Sequence, residues 1–174
     1  NPGLKDAQGA WIIFSPGTAT DDAVPTTKTT LGGVAGILTG RVAAGNSSFA
    51  LDASVGFSVN TTGVIVHQSV DVGGTVISLD LAASPAFTFI VQNLDFQFGD
   101  ILEIRAGQFS IGSGSFSGTG LEIFVGKGPS KLDDGSTNPD AIGLLIRNAS
   151  LAFINNPNNG FAIKVTGTLA LLGL

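Results

Sequence analysis

One histidine, His67, and two glutamates, Glu103 and Glu122, are the residues through which this chain would have to do acid–base chemistry. A serine hydrolase needs an imidazole that takes a proton from a hydroxyl while a carboxylate orients its other nitrogen. His67 stands between Val66 and Gln68 on the polar side of an alternating segment, the place of an ordinary surface imidazole. Glycoside hydrolysis needs two carboxyl groups at a controlled separation. Glu103 alternates with Leu102 and Ile104, and Glu122 with Leu121 and Ile123, so both are expected at solvent-facing strand positions. The glycine-rich stretch Gly112 to Gly120 and the run Gly126-Lys127-Gly128-Pro129-Ser130 lack nucleotide-loop spacing and lead into no helical pattern. These residue types in these places predict no enzyme.

Hard oxygen ligands are the one set that the sequence gathers. Asp133, Asp134, Asn138 and Asp140 put three carboxylates and an amide within eight residues of a polar loop. Calcium takes such ligands, although the spacing is not that of an EF-hand. Asp133, Asp134 and Asp140 are therefore the candidate metal ligands and calcium the candidate ion, against the plainer reading of a solvated acidic loop. Asp21-Asp22 is a weaker second pair. Glycosylation sequons occur at Asn46, Asn60 and Asn148, of which Asn60 is better explained by the turn Asn60-Thr61-Thr62-Gly63.

A chain of 174 residues has the size of one domain. Charged residues make up 12% of it, half the roughly 25% of an ordinary globular protein. Gly, Ser, Thr and Asn take their place, and such a surface suits packing against copies of itself or neighbouring modules. The net charge is −5 with basic residues scattered singly, which excludes the clustered positive footprint of a nucleic-acid binder. No cysteine is present, so disulfides, thiolate metal sites and thiol chemistry are excluded together. With no methionine, Asn1 is not a translational start and the chain is expected to be a processed product or a piece of a longer polypeptide. No run of 18 apolar residues predicts a membrane helix.

From Phe49 onward the apolar residues recur with period two, punctuated by Gly, Asn and Pro, which predicts successive strands. Phe49, Leu51, Ala53, Val55, Phe57 and Val59 share one face. A turn at Asn60 to Gly63 is expected to pair Phe57 with Val66 and Ala53 with Val70, and Gly73-Gly74 to pair Val70 with Ile77 and Val66 with Leu81. Phe87, Phe89 and Val91 are odd-numbered but Leu94, Phe96 and Phe98 even, so a bulge or bend is expected near Gln92-Asn93. The hairpin at Gly99-Asp100 should then place Phe96 opposite Ile104 and Asp95 opposite Arg105 as a cross-strand ion pair. Gly112 to Gly120 is expected to be a wide connection, Gly126 to Asp140 a surface loop, and Phe161 to Leu171 the last strand of a final hairpin. Ala10 to Phe14 reads as a separate strand, followed at residues 15–33 by a Thr- and Pro-rich linker or long loop. The expected organisation is residues 1–33 as strand and linker and 34–174 as an antiparallel β module.

Val59-Asn60-Thr61-Thr62-Gly63 followed by Val70-Asp71-Val72-Gly73-Gly74-Thr75-Val76 resembles a repeat unit of very large secreted bacterial surface proteins of adhesin type. Val125-Gly126-Lys127-Gly128-Pro129, Asp134-Gly135-Ser136, Asn138-Pro139 and Asp140-Ala141-Ile142-Gly143 form a second matching patch. The resemblance covers residues within 31–174, lacks the glycine–aspartate nonapeptide repeats that often accompany such modules, and carries over no catalytic residue. It implies a secreted, cell-surface module standing in tandem. The expectation is an all-β fold of antiparallel meander strands in an elongated sandwich or flattened barrel, with a β-solenoid-like stack as the alternative. Its expected role is a non-catalytic structural module of a filament, adhesin or surface layer, partnered by neighbouring copies or adjacent repeats. A ligand- or carbohydrate-binding β-sandwich is the alternative, weakened by a single Trp and no Tyr for stacking sugars.

Overall fold

A computed structural model describes residues 3–21, 26–30, 32–83, 86–156 and 160–173, with side chains left out at 17–21, 26–30 and 156. The strands are β1 (Gly3–Phe14), β2 (Gly17–Asp21), β3 (Thr26–Thr30), β4 (Gly33–Gly45), β5 (Phe49–Asn60), β6 (Val66–Val72), β7 (Thr75–Leu81), β8 (Phe87–Phe98), β9 (Leu102–Gly112), β10 (Ser115–Lys127), β11 (Ile142–Asn156) and β12 (Gly160–Leu172). Eight of them form one antiparallel sheet in the order β1-β4-β5-β8-β9-β10-β11-β12, which is not closed into a barrel. The all-β antiparallel fold is as the alternation predicts, and no helix occurs among the described residues. Two hairpins, β2-β3 and β6-β7, stand as separate two-stranded sheets.

Residues opposite each other across a ladder share a face, so the registers sort the whole sheet into two sides. On one side the β6-β7 hairpin lies over β1 and β4, burying Val66, Leu79 and Leu81 against Ala10 and Ala35, with Ile12, Phe14 and Ile37 around them. On the same side, at the far end, residues 128–141 fold over β10 and β11, with Ala141 buried against Phe124 and Leu145. This is the covered face. The other, the open face, carries nothing over it among the described residues.

Asn60 explains why the chain leaves the sheet where it does. The residue is buried, its side-chain amide donates to the carbonyls of Val64 and Ala82 at 2.7 and 2.9 Å, and its Oδ1 accepts from the backbone and hydroxyl of Thr62. That latch ties both ends of the hairpin to the end of β5. The expected pairing of β5 with β6 is therefore wrong: β5 pairs with β4 and β8 instead, and the hairpin crosses to the covered face. Within the hairpin the Gly73-Gly74 turn sets Val70 opposite Ile77 and Val66 opposite Leu81, as expected.

Phe96 lies opposite Ile104 and Asp95 opposite Arg105, also as expected. Asn93 takes a left-handed φ of 52° at the point where the apolar phase of β8 switches from odd to even. Asp6 in β1, Gly120 in β10 and Asn148 in β11 do the same, with φ of 50°, 61° and 52°. Asn, Asp and Gly tolerate this conformation best, and each inserts one residue that moves the rest of its strand onto the other parity. In β5, and in β4 and β12 past their first residues Gly33 and Gly160, no such residue occurs, and the apolar phase runs through unbroken.

Three further expectations are corrected. Gly112 to Gly120 is no wide connection: β9 and β10 meet in a tight turn at Ser113-Gly114, and Ser115 to Gly120 belong to β10. Gly118 lies beneath the ring of Phe109, where a Cβ would sit 2.9 Å from it, so the lack of a side chain serves packing. Residues 15–33 contain the β2-β3 hairpin. Ala10 to Phe14 is the second half of β1, paired with β4. The centre of the Asn155–Gly160 turn, 157–159, lies outside the described residues.

Candidate functional site

The open face is the largest single chemical feature of the molecule. The chain has twelve phenylalanines, and by register every one except Phe14 and Phe124 points to this side. Val, Leu, Ile, Ala and Trp11 fill nearly all the remaining ladder positions, and the one ladder-paired charge is Lys127, at the end of β10. Many of these groups are in water: Ile13 is 82% exposed, Phe161 71% and Phe98 52%. Where the bulges of β8, β10 and β11 line up across mid-sheet, Ala106, Leu121 and Ala149 are buried with no element above them. Leu94, Phe109, Ile146 and Leu151 lean over them from either side. Trp11 packs tilted against Phe57, ring centroids 6.2 Å apart, across Gly36, which leaves room for the indole.

The two sheet edges are open as well. Among the described residues no strand pairs with the outer side of β1 or of β12. The thirteen residues of β12 carry one charge, Lys164, and no proline. Its open-face residues Phe161, Ile163, Val165, Leu169 and Leu171 are all exposed.

Under the 128–141 loop lies a polar cluster that the alternation pattern missed. Glu103 is only 5% exposed and Glu122 is half-buried rather than solvent-facing. Arg105 Nη1 donates to Glu103 at 3.0 Å, to Glu122 at 3.1 Å and to Ser130 Oγ at 3.2 Å, while its Nε stands 3.8 Å from Asp95. Ser130, wholly buried, donates its N–H and its hydroxyl to Glu103, and Lys131 pairs with Glu122 at 2.8 Å. Burial works against the Arg105 guanidinium, but Glu103 and Asp95, aided by the hydrogen bonds to Glu122 and Glu103, outweigh it and hold its pKa above the ordinary value. Arg105 and the Ser130 N–H and hydroxyl hold Glu103, and Arg105 and Lys131 hold Glu122, which makes the cluster a clamp holding the loop on the sheet.

The candidate metal ligands do not converge. Asp134 accepts from the backbone and hydroxyl of Ser136 at 2.8 and 2.6 Å and closes a turn, and these bonds hold its carboxyl below the usual carboxylate range. Asn138 is buried and spends its amide on Pro129 O and its Oδ1 on the Asp140 N–H. Asp133 and Asp140 are exposed. No group of three or more His, Asp or Glu side chains among the described residues stands close enough to hold a metal ion. Of Asp21-Asp22, Asp22 and the Asp21 side chain lie outside the described residues.

His67 is met by Asp80 across the hairpin, Nδ1 to Oδ1 at 2.6 Å, with Ser69 and Ser78 next along the same exposed face. No hydrogen bond joins the imidazole to either hydroxyl, and the two serines face each other at 3.4 Å. Asn46 caps the β4-β5 turn by accepting from Ser48 and Phe49 N–H groups. No helix among the described residues is long and apolar enough to cross a membrane. Comparison with protein-family models, curated proteins and solved structures finds no match for this chain.

Proposed function

We propose that this chain is a non-catalytic structural module of an extracellular filament, adhesin or surface-layer-type protein. It assembles with neighbouring copies or adjacent repeats through its strand edges. The observation that carries this reading is the pair of open edges bounding a sheet whose apolar side runs from one to the other. Proteins that stay monomeric blunt such edges with charges, prolines or short strands. β12 has a single lysine and none of the other devices.

Eight antiparallel strands also leave β1 and β12 running in opposite directions. The β12 edge of one copy and the β1 edge of the next can then form an antiparallel ladder with their apolar sides in common, which propagates as an open chain. The resemblance to tandem surface modules and the low charge support the same reading. Its two matching patches fall on the Asn60 latch with the β6-β7 hairpin, and on the 128–141 loop.

Negative-stain imaging of the purified chain, with and without millimolar calcium, tests it. End-to-end chains are expected, shortened in the T166K/T168K variant, which adds charge to the β12 edge on the covered side. A chain that never grows by its edges at any concentration sinks the reading.

A further inference from the structure

On the covered face the sequence puts most of its large apolar side chains where something lies over them, with Ile154 near the end of β11, 58% exposed, as an exception. Ala10, Ile12, Phe14, Ala35 and Ile37 sit under the hairpin, and Phe124 and Leu145 under the loop. Where that face is bare, its ladder positions include Thr39, Ser54, Gln92, Gln108, Ser117 and Thr166, with small alanines between them. The open face breaks that rule over all eight strands. We infer that it is closed by a second copy of this chain, packed sheet on sheet, so that two open faces become the inside of a two-layer sandwich.

Area decides for a partner of this size. A compact chain of this mass exposes about 7,900 Å². This one exposes 10601 Å². The excess, about 2,700 Å² per chain or about 5,400 Å² over two copies, compares with the roughly 1,600 Å² in total of an ordinary specific interface, and stands at the upper end of the range of obligate homodimers. A helix about 10 Å across would cover about a quarter of a face whose eight strands span about 38 Å. Another copy brings a face of the same width, the same strand length and the same lack of charge, and aligned sheets pack about 10 Å apart with their side chains interleaved. The net charge of −5 is no obstacle, because the acids lie on the covered side and in the loops.

This closure shares with the edge reading only the premise that the chain is a building block. It is a closed, face-to-face contact, whereas edge growth is open.

Sedimentation equilibrium with native mass spectrometry, on the full chain and two variants, tests it. Wild type is expected at twice the chain mass or at even multiples of it where edges also join, and not as a single chain, down to low micromolar concentration. The F89K/F98K variant, charged on two exposed mid-sheet positions of β8, is expected to be monomeric, with association weakened by about a hundredfold or more. Its far-UV strand signal should be unchanged. T166K/T168K should stay dimeric while losing edge growth, so each contact can fail without the other.

Acrylamide quenching of Trp11, the only tryptophan, gives a readout that needs no variant. The indole, 49% exposed in the single chain, should be shielded in the wild type. A monomeric wild type with a freely quenched Trp11 overturns the inference. So does a monomer that retains co-purified acyl lipid by native mass, which would make lipid the occupant.

Discussion

The two faces of one sheet follow different rules, and Phe124 and Phe98 show the difference with the same side chain. Phe124 is 1% exposed on the covered face, its ring over the close approach of β10 and β11 at Gly126 and Gly143, where a Cβ would come within 2.6 Å of it or within 2.4 Å of a backbone oxygen. Phe98 is half in water on the open face. Covered-face stability is thus concentrated under two small lids, each held by a polar latch: Asn60 for the hairpin, and Glu103 with Ser130 for the loop. Open-face apolar area is spread over every strand and has no latch. Two of the three buried clusters of the single chain come from the first, and the capacity for more burial from the second.

The sharpest way to break this comparison is to truncate each ring. Phe124→Ala should cost about 3–5 kcal/mol by urea denaturation, whereas Phe98→Ala should cost under about 1 kcal/mol in a monomer because half its area is already hydrated. If a second copy closes the open face, the cost at Phe98 rises and becomes dependent on protein concentration. Next in size, Glu103→Ala leaves Arg105 and Ser130 under the loop without their main acceptor and should cost about 3 kcal/mol. Limited proteolysis should then cut within 128–141. Asn60→Ala removes the hairpin latch and should cost about 2 kcal/mol, with amide exchange rising in β6 and β7 before the central strands.

The smallest effect concerns Asp134, whose carboxyl is held low by Ser136. A depressed folded-state pKa contributes stability that is present above the ordinary carboxylate range and lost as the pH falls through the lower folded value. A carboxyl NMR titration should show that low value, and Ser136→Ala should move it back toward the ordinary one.

Local parity was legible in the sequence; partner choice was not. The β6-β7 register, the Asp95–Arg105 pairing and the phase switch at Asn93 follow from the alternation of adjacent segments and the turn between them. Pairing β5 with β6 satisfied the same alternation and is still wrong, because parity cannot tell which strand is the neighbour. That choice is made by Asn60, whose four bonds look like a turn signal until both ends of the hairpin are seen to meet on it. Glu103 and Glu122 were assigned to solvent from their position between apolar residues. Nothing in that pattern announces that a distant loop returns to cover them. Ser130 after Pro129 reads as an ordinary turn residue, and its burial is a tertiary fact.

The line of left-handed residues at Asp6, Asn93, Gly120 and Asn148 makes the face code of this sheet behave like a reading frame. Each is a one-residue insertion that the rest of its strand is written to follow. Losing Asn93 altogether would send Leu94, Phe96 and Phe98 to the covered side and Asp95 and Gln97 to the open one, while replacing it with glycine would leave every side chain where it is. In this protein single-residue deletions at the bulges should be far more damaging than any substitution there, and variation among related chains should preserve strand length more strictly than residue type.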